Sequence, residues 1–287
     1  MEKKPSKIWF GVAVFLITNL VVWSDLAKDR QNDFVRMEFF DVGQGDGIYI
    51  RTPQGNDIVV DGGPGDVMLS KLGQALPFYD RTIELIILTH PHADHVSGLV
   101  EVLKRYEVSQ VVLPEAVYDS EVYKEFLDLL KQKHISVAQP RLGQRIFLDE
   151  QTVFDVLYPV LPRFAKLPSD INDVSIVGRL SFGGQHVLFT GDAGQDIEQL
   201  LLALKLPLDA TILKIGHHGS RHSSALEFIS AVSPAYSVIS VGADNKYGHP
   251  HPEVLAALKK VGIGILRTDQ EGDVVFEIHP DRVLRGN

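Results

Sequence analysis

Two successive rounds of short strands followed by helices mark this 287-residue chain as an α/β protein, with two sheets packed face to face and helices outside. Three observations carry that reading. Short apolar runs recur along both halves, separated by glycine-containing turns. Segments with helical spacing of apolar residues follow them. Several of the apolar runs end directly in carboxylates or histidines, as strand ends at a functional edge do.

Residues 36–42, 48–51 and 57–60 read as strands joined by glycine turns. A first helix is expected over 67–76, then a strand over 84–88, a helix over 96–105 and a strand over 111–113 that stops at Pro114. Val122, Phe126, Leu129 and Leu130 give residues 121–133 one apolar helical face. The second half begins near Gln151. Strands are expected over 152–157, 175–182, 186–189, 211–215, 236–241 and 273–278. Helices are expected over 194–204, 224–232 and 252–261.

Composition narrows the classes. A formal net charge of −9 repels nucleic acid and anionic lipid at long range, so any binding to a polyanion must be local. There is no cysteine, which excludes disulfides, thiolate metal sites and a cysteine nucleophile. Lys3, Lys4 and Lys7 precede an uncharged apolar run over residues 8–23. As a helix this run is about 24 Å long, slightly short of a hydrocarbon core of roughly 30 Å. Trp9 and Trp23 flank it, and no small-x-small cleavage site follows. Residues 1–30 are therefore expected to be an N-terminal membrane anchor or signal segment, with an uncleaved anchor favoured. The lysines leave the N-terminus in the cytoplasm, so residues 34–287 are expected to form one domain outside it.

The densest chemistry lies in His90-Pro91-His92-Ala93-Asp94-His95, directly behind the apolar run over residues 85–88. Imidazole nitrogen and carboxylate oxygen suit borderline divalent metals. The spacing lets His90 and His92 serve one ion and Asp94 and His95 its neighbour. Two such ions can clamp the attacking and leaving oxygens of a hydrolysis. Asp192 closes Leu188-Phe189-Thr190-Gly191-Asp192 and is the candidate bridging ligand. His217 and His218 end another strand; one is expected to ligate, with His217 favoured, and the other to contact substrate or move a proton.

Around these lie candidates for support. Asp46 and Asp61, after strands, are expected to orient ligand histidines or a metal water, and Asn172 precedes another strand facing the same edge. Ser220 and Ser223 precede a helix and are candidate phosphate contacts. Asn245 and His249 share a loop between strand and helix, as a substrate contact and a candidate acid. His134, His186, His222, His251 and His279 lack such settings.

The full set resembles the metallo-β-lactamase fold hydrolases, and within them the extracytoplasmic hydrolase domain of the ComEC competence family, in stand-alone form. The resemblance rests on Asp41-Val42-Gly43-Gln44-Gly45-Asp46, Asp61-Gly62-Gly63, the His90–His95 loop and residues 172–175. Thr190-Gly191-Asp192, His217-His218-Gly219-Ser220 and Asn245-Lys246-Tyr247-Gly248-His249-Pro250 continue it in the family's order. It implies a four-layer αββα sandwich with a dinuclear zinc or manganese site at one edge. His90, His92, Asp94, His95, Asp192 and His217 match its metal-ligand positions. It implies phosphodiester hydrolysis by a metal-bound hydroxide, with Asp94, Asp192, His218 and His249 in catalytic roles and single-stranded DNA as a candidate partner. No protein partner is legible. A further ligand histidine found in many superfamily members between the first loop and the bridging aspartate has no well-placed counterpart; His134, His186 and Asn172-Asp173 stand in that region. The competence proteins also span the membrane many times, and this chain has one hydrophobic segment at most, so DNA transport does not carry over. Two alternatives remain: a carbonyl hydrolase acting on β-lactams, lactones or thioesters at the same site, and a non-catalytic metal-containing binding module.

Overall fold

The computed structural model describes residues 7–28, 32–160 and 170–286. Helix α1 (Lys7–Lys28) comes first. The first half then runs β1 (Val35–Phe39), β2 (Gly47–Arg51), β3 (Asp57–Gly62), α2 (Val67–Ala75), β4 (Thr82–Ile87), α3 (Ala93–Arg105), β5 (Glu107–Val112), α4 (Glu121–Gln132) and β6 (Ser136–Ala138). The second half runs β7 (Arg145–Phe147), β8 (Thr152–Tyr158), a 3-10 turn (Ile171–Val174), β9 (Val177–Phe182), β10 (Gln185–Phe189), α5 (Gln195–Ala203) and β11 (Ile212–Lys214). A second 3-10 turn (Gly216–Gly219), α6 (Leu226–Val232), β12 (Tyr236–Ile239), α7 (Pro252–Val261), β13 (Gly264–Arg267), α8 (Thr268–Glu271), β14 (Val274–Ile278) and β15 (Val283–Arg285) complete it.

The strands form two sheets. One has the order β15-β14-β1-β2-β3-β4-β5-β6, the other β13-β12-β11-β10-β9-β8-β7. Each joins an antiparallel meander to a parallel block: β3 to β6 run parallel in the first, and β10 to β13 in the second. Strand β14 returns from the end of the chain to pair with β1, Val35 opposite Ile278, and β15 pairs with β14.

Side-chain alternation along the strands sorts the apolar residues into three cores. Met37, Phe39, Ile50 and Val60 of the first sheet meet Phe154, Leu180 and Phe189 of the second in a central core between the sheets. On β2 and β3 the intervening Tyr49 and Val59 point the other way, against Leu72 of α2, Leu99 and Leu103 of α3 and Phe126 of α4. Leu188 and Leu213 on the second sheet's outer face pack against α5, α6 and α7 through Leu201, Phe228 and Leu258. The layers are thus helix, sheet, sheet, helix, as the resemblance implied.

The expected membrane anchor needs correction. Among the described residues no helix is long and apolar enough to cross a membrane. The apolar run lies within α1, where Thr18 and Asn19 place polar groups that bond back to Val14 O and Phe15 O at 2.8 Å each. The 16-residue run over 8–23 is also shorter than a hydrocarbon core needs. The extracytoplasmic placement rested on that anchor and its flanking lysines, and falls with it.

Parallel strands bring their C-terminal ends to a common edge, where loops collect. Asp61 stands at the C-terminal end of β3, and the segments that follow β1, β4, β10, β11 and β12 carry Asp46, His90–His95 (running into α3), Asp192, His217–His218 and Asn245–His249. Close packing seats α3 at this edge. A Cβ on Gly98 would lie 1.9 Å from the Gly62 carbonyl oxygen, so the helix rests directly on the end of β3.

Candidate metal centre

Asp192 is the hub of the site. It is 2% exposed, and its Oδ2 lies 3.4 Å from His95 Nε2, 3.5 Å from His218 Nε2 and 3.8 Å from both His90 Nε2 and His217 Nε2. Asp94 joins from the first turn of α3, its Oδ2 3.5 Å from His218 Nε2. Burial works to raise the Asp94 carboxyl, but the hydrogen bond from His218 and the charge on His95 hold it well below the usual carboxylate range. The helix N-terminus also favours the anion there. His92 is half-buried, its Nδ1 3.1 Å from His90 Nε2.

Each deep histidine is fixed from behind through Nδ1. Thr89 Oγ1 donates to Asp61 Oδ2 at 2.6 Å, which leaves it to accept from His90 Nδ1 at 3.1 Å. His95 Nδ1 donates to Asp61 Oδ2 at 2.8 Å. His218 Nδ1 donates to the Ser240 carbonyl at 2.9 Å. All three Nε2 atoms therefore face Asp192. This is the arrangement by which a protein sets the tautomer and direction of metal-ligating imidazoles.

The electrostatics follow from the crowding of charge. His90 is held well below its ordinary value, first by burial and then by the charge on His95. Burial would also lower His95 and His218, but the carboxylates outweigh it. Asp192 and Asp61 lift His95 well above the usual range, and Asp192, Asp46 and Asp94 lift His218 to about 10. Burial similarly opposes ionisation of Asp46, yet Lys214 Nζ at 2.5 Å, with help from His218, holds its carboxyl below the ordinary value.

Local backbone conformation supports a functional edge. Asp61, His217 and His218 have φ values of 55°, 46° and 52°, in the left-handed region that costs an L-residue about 1–2 kcal/mol. Three such residues around one cleft are strain held in place by the surrounding fold. Gly45, at φ 147°, lets the first loop pass so close that a Cβ there would sit 2.2 Å from the Asp94 carbonyl oxygen.

Residues 40–243 match the metallo-beta-lactamase superfamily. The chain belongs to that superfamily. It is 28% identical over 284 residues to ComE operon protein 3 of Bacillus subtilis, covering 93% of this chain and 35% of the relative. It is 27% identical over 281 residues to Recombination protein 2 of Haemophilus influenzae, covering 96% of this chain and 32% of the relative. The chain therefore resembles the ComEC-family competence proteins and spans about a third of these relatives' length. The fold is shared with the metallo-beta-lactamase fold protein YhfI from Bacillus subtilis, at a TM-score of 0.55 and 13% identity, over 88% of this chain and all of that one.

The superfamily fold binds metal ions, and the residues present fit them. His95 Nε2, His218 Nε2 and Asp192 Oδ1 are buried with no hydrogen-bond partner, as is Asp46 Oδ1 beside them. Buried polar atoms left unpaired and convergent are costly unless something else occupies them. Four overlapping groups bring at least three such ligand atoms within 4.8 Å of one another: His90, His95 and Asp192; Asp94, His95 and His218; Asp46, Asp192 and His218; and Asp46, Asp61 and His95.

The cleft in front of the cluster has a volume of about 300 Å³ and is lined by Gln44, His92, Asp94, Tyr118, His217 and Tyr247, among others. His249 also lines it, pushed down to about 4 by burial and by the neighbouring His217 and His218. Other expected contacts do not line this cleft. Ser223 is buried, its hydroxyl donating to Gly216 O at 2.7 Å, and Ser220 Oγ accepts from His222 N at 3.3 Å. Asn245 braces its own loop: Nδ2 donates to Gly242 O and His249 O at 2.8 and 2.7 Å, while Oδ1 accepts from Tyr247 N and His249 N. Asn172 is nine-tenths buried on the 3-10 turn, its Oδ1 unpaired, and Ser175 at the end of that turn donates its Oγ to none of the ligands but accepts from Asp192 N at 3.1 Å. His186 instead lies by Ser181 and Asp209, and His134 in a groove beside α4. The sequence reading missed Lys214. Its signal was a lone cation inside the apolar strand Ile212–Lys214, where an unpaired lysine is almost never tolerated.

Proposed function

We propose that the chain is a dinuclear metal-dependent phosphodiesterase that cleaves nucleic acid, single-stranded DNA above all. The observation that carries this reading is the convergence of the three back-tethered Nε2 atoms on Asp192, with Asp94 3.5 Å from the His218 Nε2, beneath an open cleft. In this reading His90 and His92 would hold one ion and Asp94, His95 and His218 the other, with Asp192 available to both. The geometry favours His218 over His217 as ligand, because its Nε2 is 3.5 Å from both Asp94 and Asp192 and its Nδ1 is tied to a carbonyl. Mixed imidazole and carboxylate donors suit zinc or manganese. Such a pair supplies Lewis acidity at the phosphoryl oxygens and a water that ionises near neutral pH.

The chain's own residues do the rest. Asp61 and the Ser240 carbonyl keep His95 and His218 in the tautomer that presents Nε2. Asp46, held ionised by Lys214, sits 3.3 Å from His218 Nδ1 and adds charge behind that ring. His217 is partly exposed at the cleft and, like His90, is kept neutral by burial. His249 is neutral as well, so it offers an N–H or a lone pair to a substrate oxygen rather than a full positive charge. The relatives' names, ComE operon protein 3 and Recombination protein 2, support nucleic acid as the polymer.

The test is a substrate panel at equal metal loading: single-stranded DNA, a simple phosphodiester and a β-lactam. The expected result is cleavage of the first two, reduced at least about 100-fold by Asp192→Ala with the fold intact. Turnover of the β-lactam alone would move the assignment to carbonyl hydrolysis.

A further inference from the structure

The rim of the cleft carries an aromatic ring that the chemistry at Asp192 does not use. Tyr247 lines the cleft and is 53% exposed, so its free face is open to a ligand entering there. Its ring stacks on His249 at 5.7 Å and 25°, and His249 in turn lies 6.5 Å from His218. Tyr247 is therefore two ring-to-ring steps from the ligand cluster. The loop that presents it is built, since one side chain, Asn245, spans it with four hydrogen bonds, two of them to backbone N–H groups of Tyr247 and His249. Lys246 places its Nζ 5.3 Å from the Tyr247 ring centroid. Tyr118, which also lines the cleft, packs edge-on against His92 at 5.4 Å.

A rigid exposed ring beside a flexible cation is what a single-stranded nucleic acid requires, since every base has a π-face and every linkage a negative charge. A β-lactam or lactone offers neither a row of flat rings nor repeating charge. The net charge of −9 makes such a local device necessary, because the protein's overall field opposes a polyanion.

We propose that Tyr247 is a specificity-determining residue: a stacking platform for the base adjoining the scissile diester, with Lys246 pairing that nucleotide's phosphate. The inference rests on the phosphodiesterase reading and assigns the residue that would engage the unpaired bases of such a strand. Tyr247 stacks on His249 but on none of the proposed ligands, and Asn245 holds the His249 backbone independently through its N–H and carbonyl, so replacing Tyr247 leaves the cluster in place.

The experiment compares a single-stranded oligonucleotide with an abasic strand of the same length, using the full-length wild type, Tyr247→Ala, Tyr247→Trp and Lys246→Ala. Two readouts are taken: cleavage with manganese, and equilibrium binding by fluorescence anisotropy in chelator, where no cleavage occurs. Tyr247→Ala should weaken binding and raise KM about tenfold for the natural strand, leave the abasic strand unchanged, and leave kcat within about twofold. Tyr247→Trp should restore the natural-strand values. Lys246→Ala should weaken both strands alike and flatten the salt dependence. Equal losses on both strands in Tyr247→Ala, or no loss on either, would overturn the stacking assignment. If the wild type cleaves neither strand, the phosphodiesterase reading fails, and the binding arm still decides whether Tyr247 distinguishes bases from bare backbone.

Discussion

Lys214 shows how much of the site depends on a residue outside the ligand set. It is 1% exposed, and its ammonium meets Asp46 at 2.5 Å and the Ile215 carbonyl at 2.9 Å. Removing one member of a buried pair leaves the other charge unpaired, at a cost of about 3–5 kcal/mol. Lys214→Met should therefore lower stability by about that amount in denaturant titration, and bound metal should recover part of it; an unchanged midpoint would remove Lys214 from the account. The histidines make a second prediction. Without a cation between them, His95 and His218 are pulled upward by the carboxylates and hold their protons at neutral pH. Divalent ions bind only the deprotonated rings, so uptake near pH 7 should release protons, and affinity should rise with pH. A pH-indicator titration in weak buffer measures this; uptake without proton release would contradict it.

At the level of strands and helices, the packing of Gly98 against Gly62 decides where Asp94 and His95 stand. Gly98→Ala would push a methyl group into a backbone carbonyl and shift α3 away from β3. The expected loss is about 1–3 kcal/mol, with weaker metal retention because two proposed ligands ride on the first turn of that helix. Thermal unfolding and metal content of the variant check both. Much of this layer was legible in the sequence. The helices at 67–76, 121–133 and 252–261 appear as α2, α4 and α7, because each carries one apolar face. What escaped were β6, β7 and β15, three-residue strands too short to show alternation, and β13, whose opening glycine hides it. The site divides in the same way. A carboxylate or histidine at the end of an apolar run is visible by spacing, which located Asp61, His90, Asp192 and His218. Spacing says nothing of side-chain direction, and so gives no sign that the polar atoms of Ser223 and Asn245 brace their own loops.

Across the molecule, the two sheets act as one device. Each contributes a parallel block whose C-terminal ends meet at one edge: β3 and β4 supply Asp61 and the histidine loop, β10 and β11 supply Asp192 and His217–His218. The shared core of Phe39, Val60, Phe154 and Phe189 fixes those edges relative to each other, so ligands from opposite halves lie within 3.4–3.8 Å of one carboxylate. The most direct measurement is the number of divalent ions bound per chain after dialysis, for the wild type and for Asp192→Ala. Two ions in the wild type, with loss of at least one in the variant, is the predicted result. A wild-type chain that retains no zinc or manganese would contradict the account at its centre.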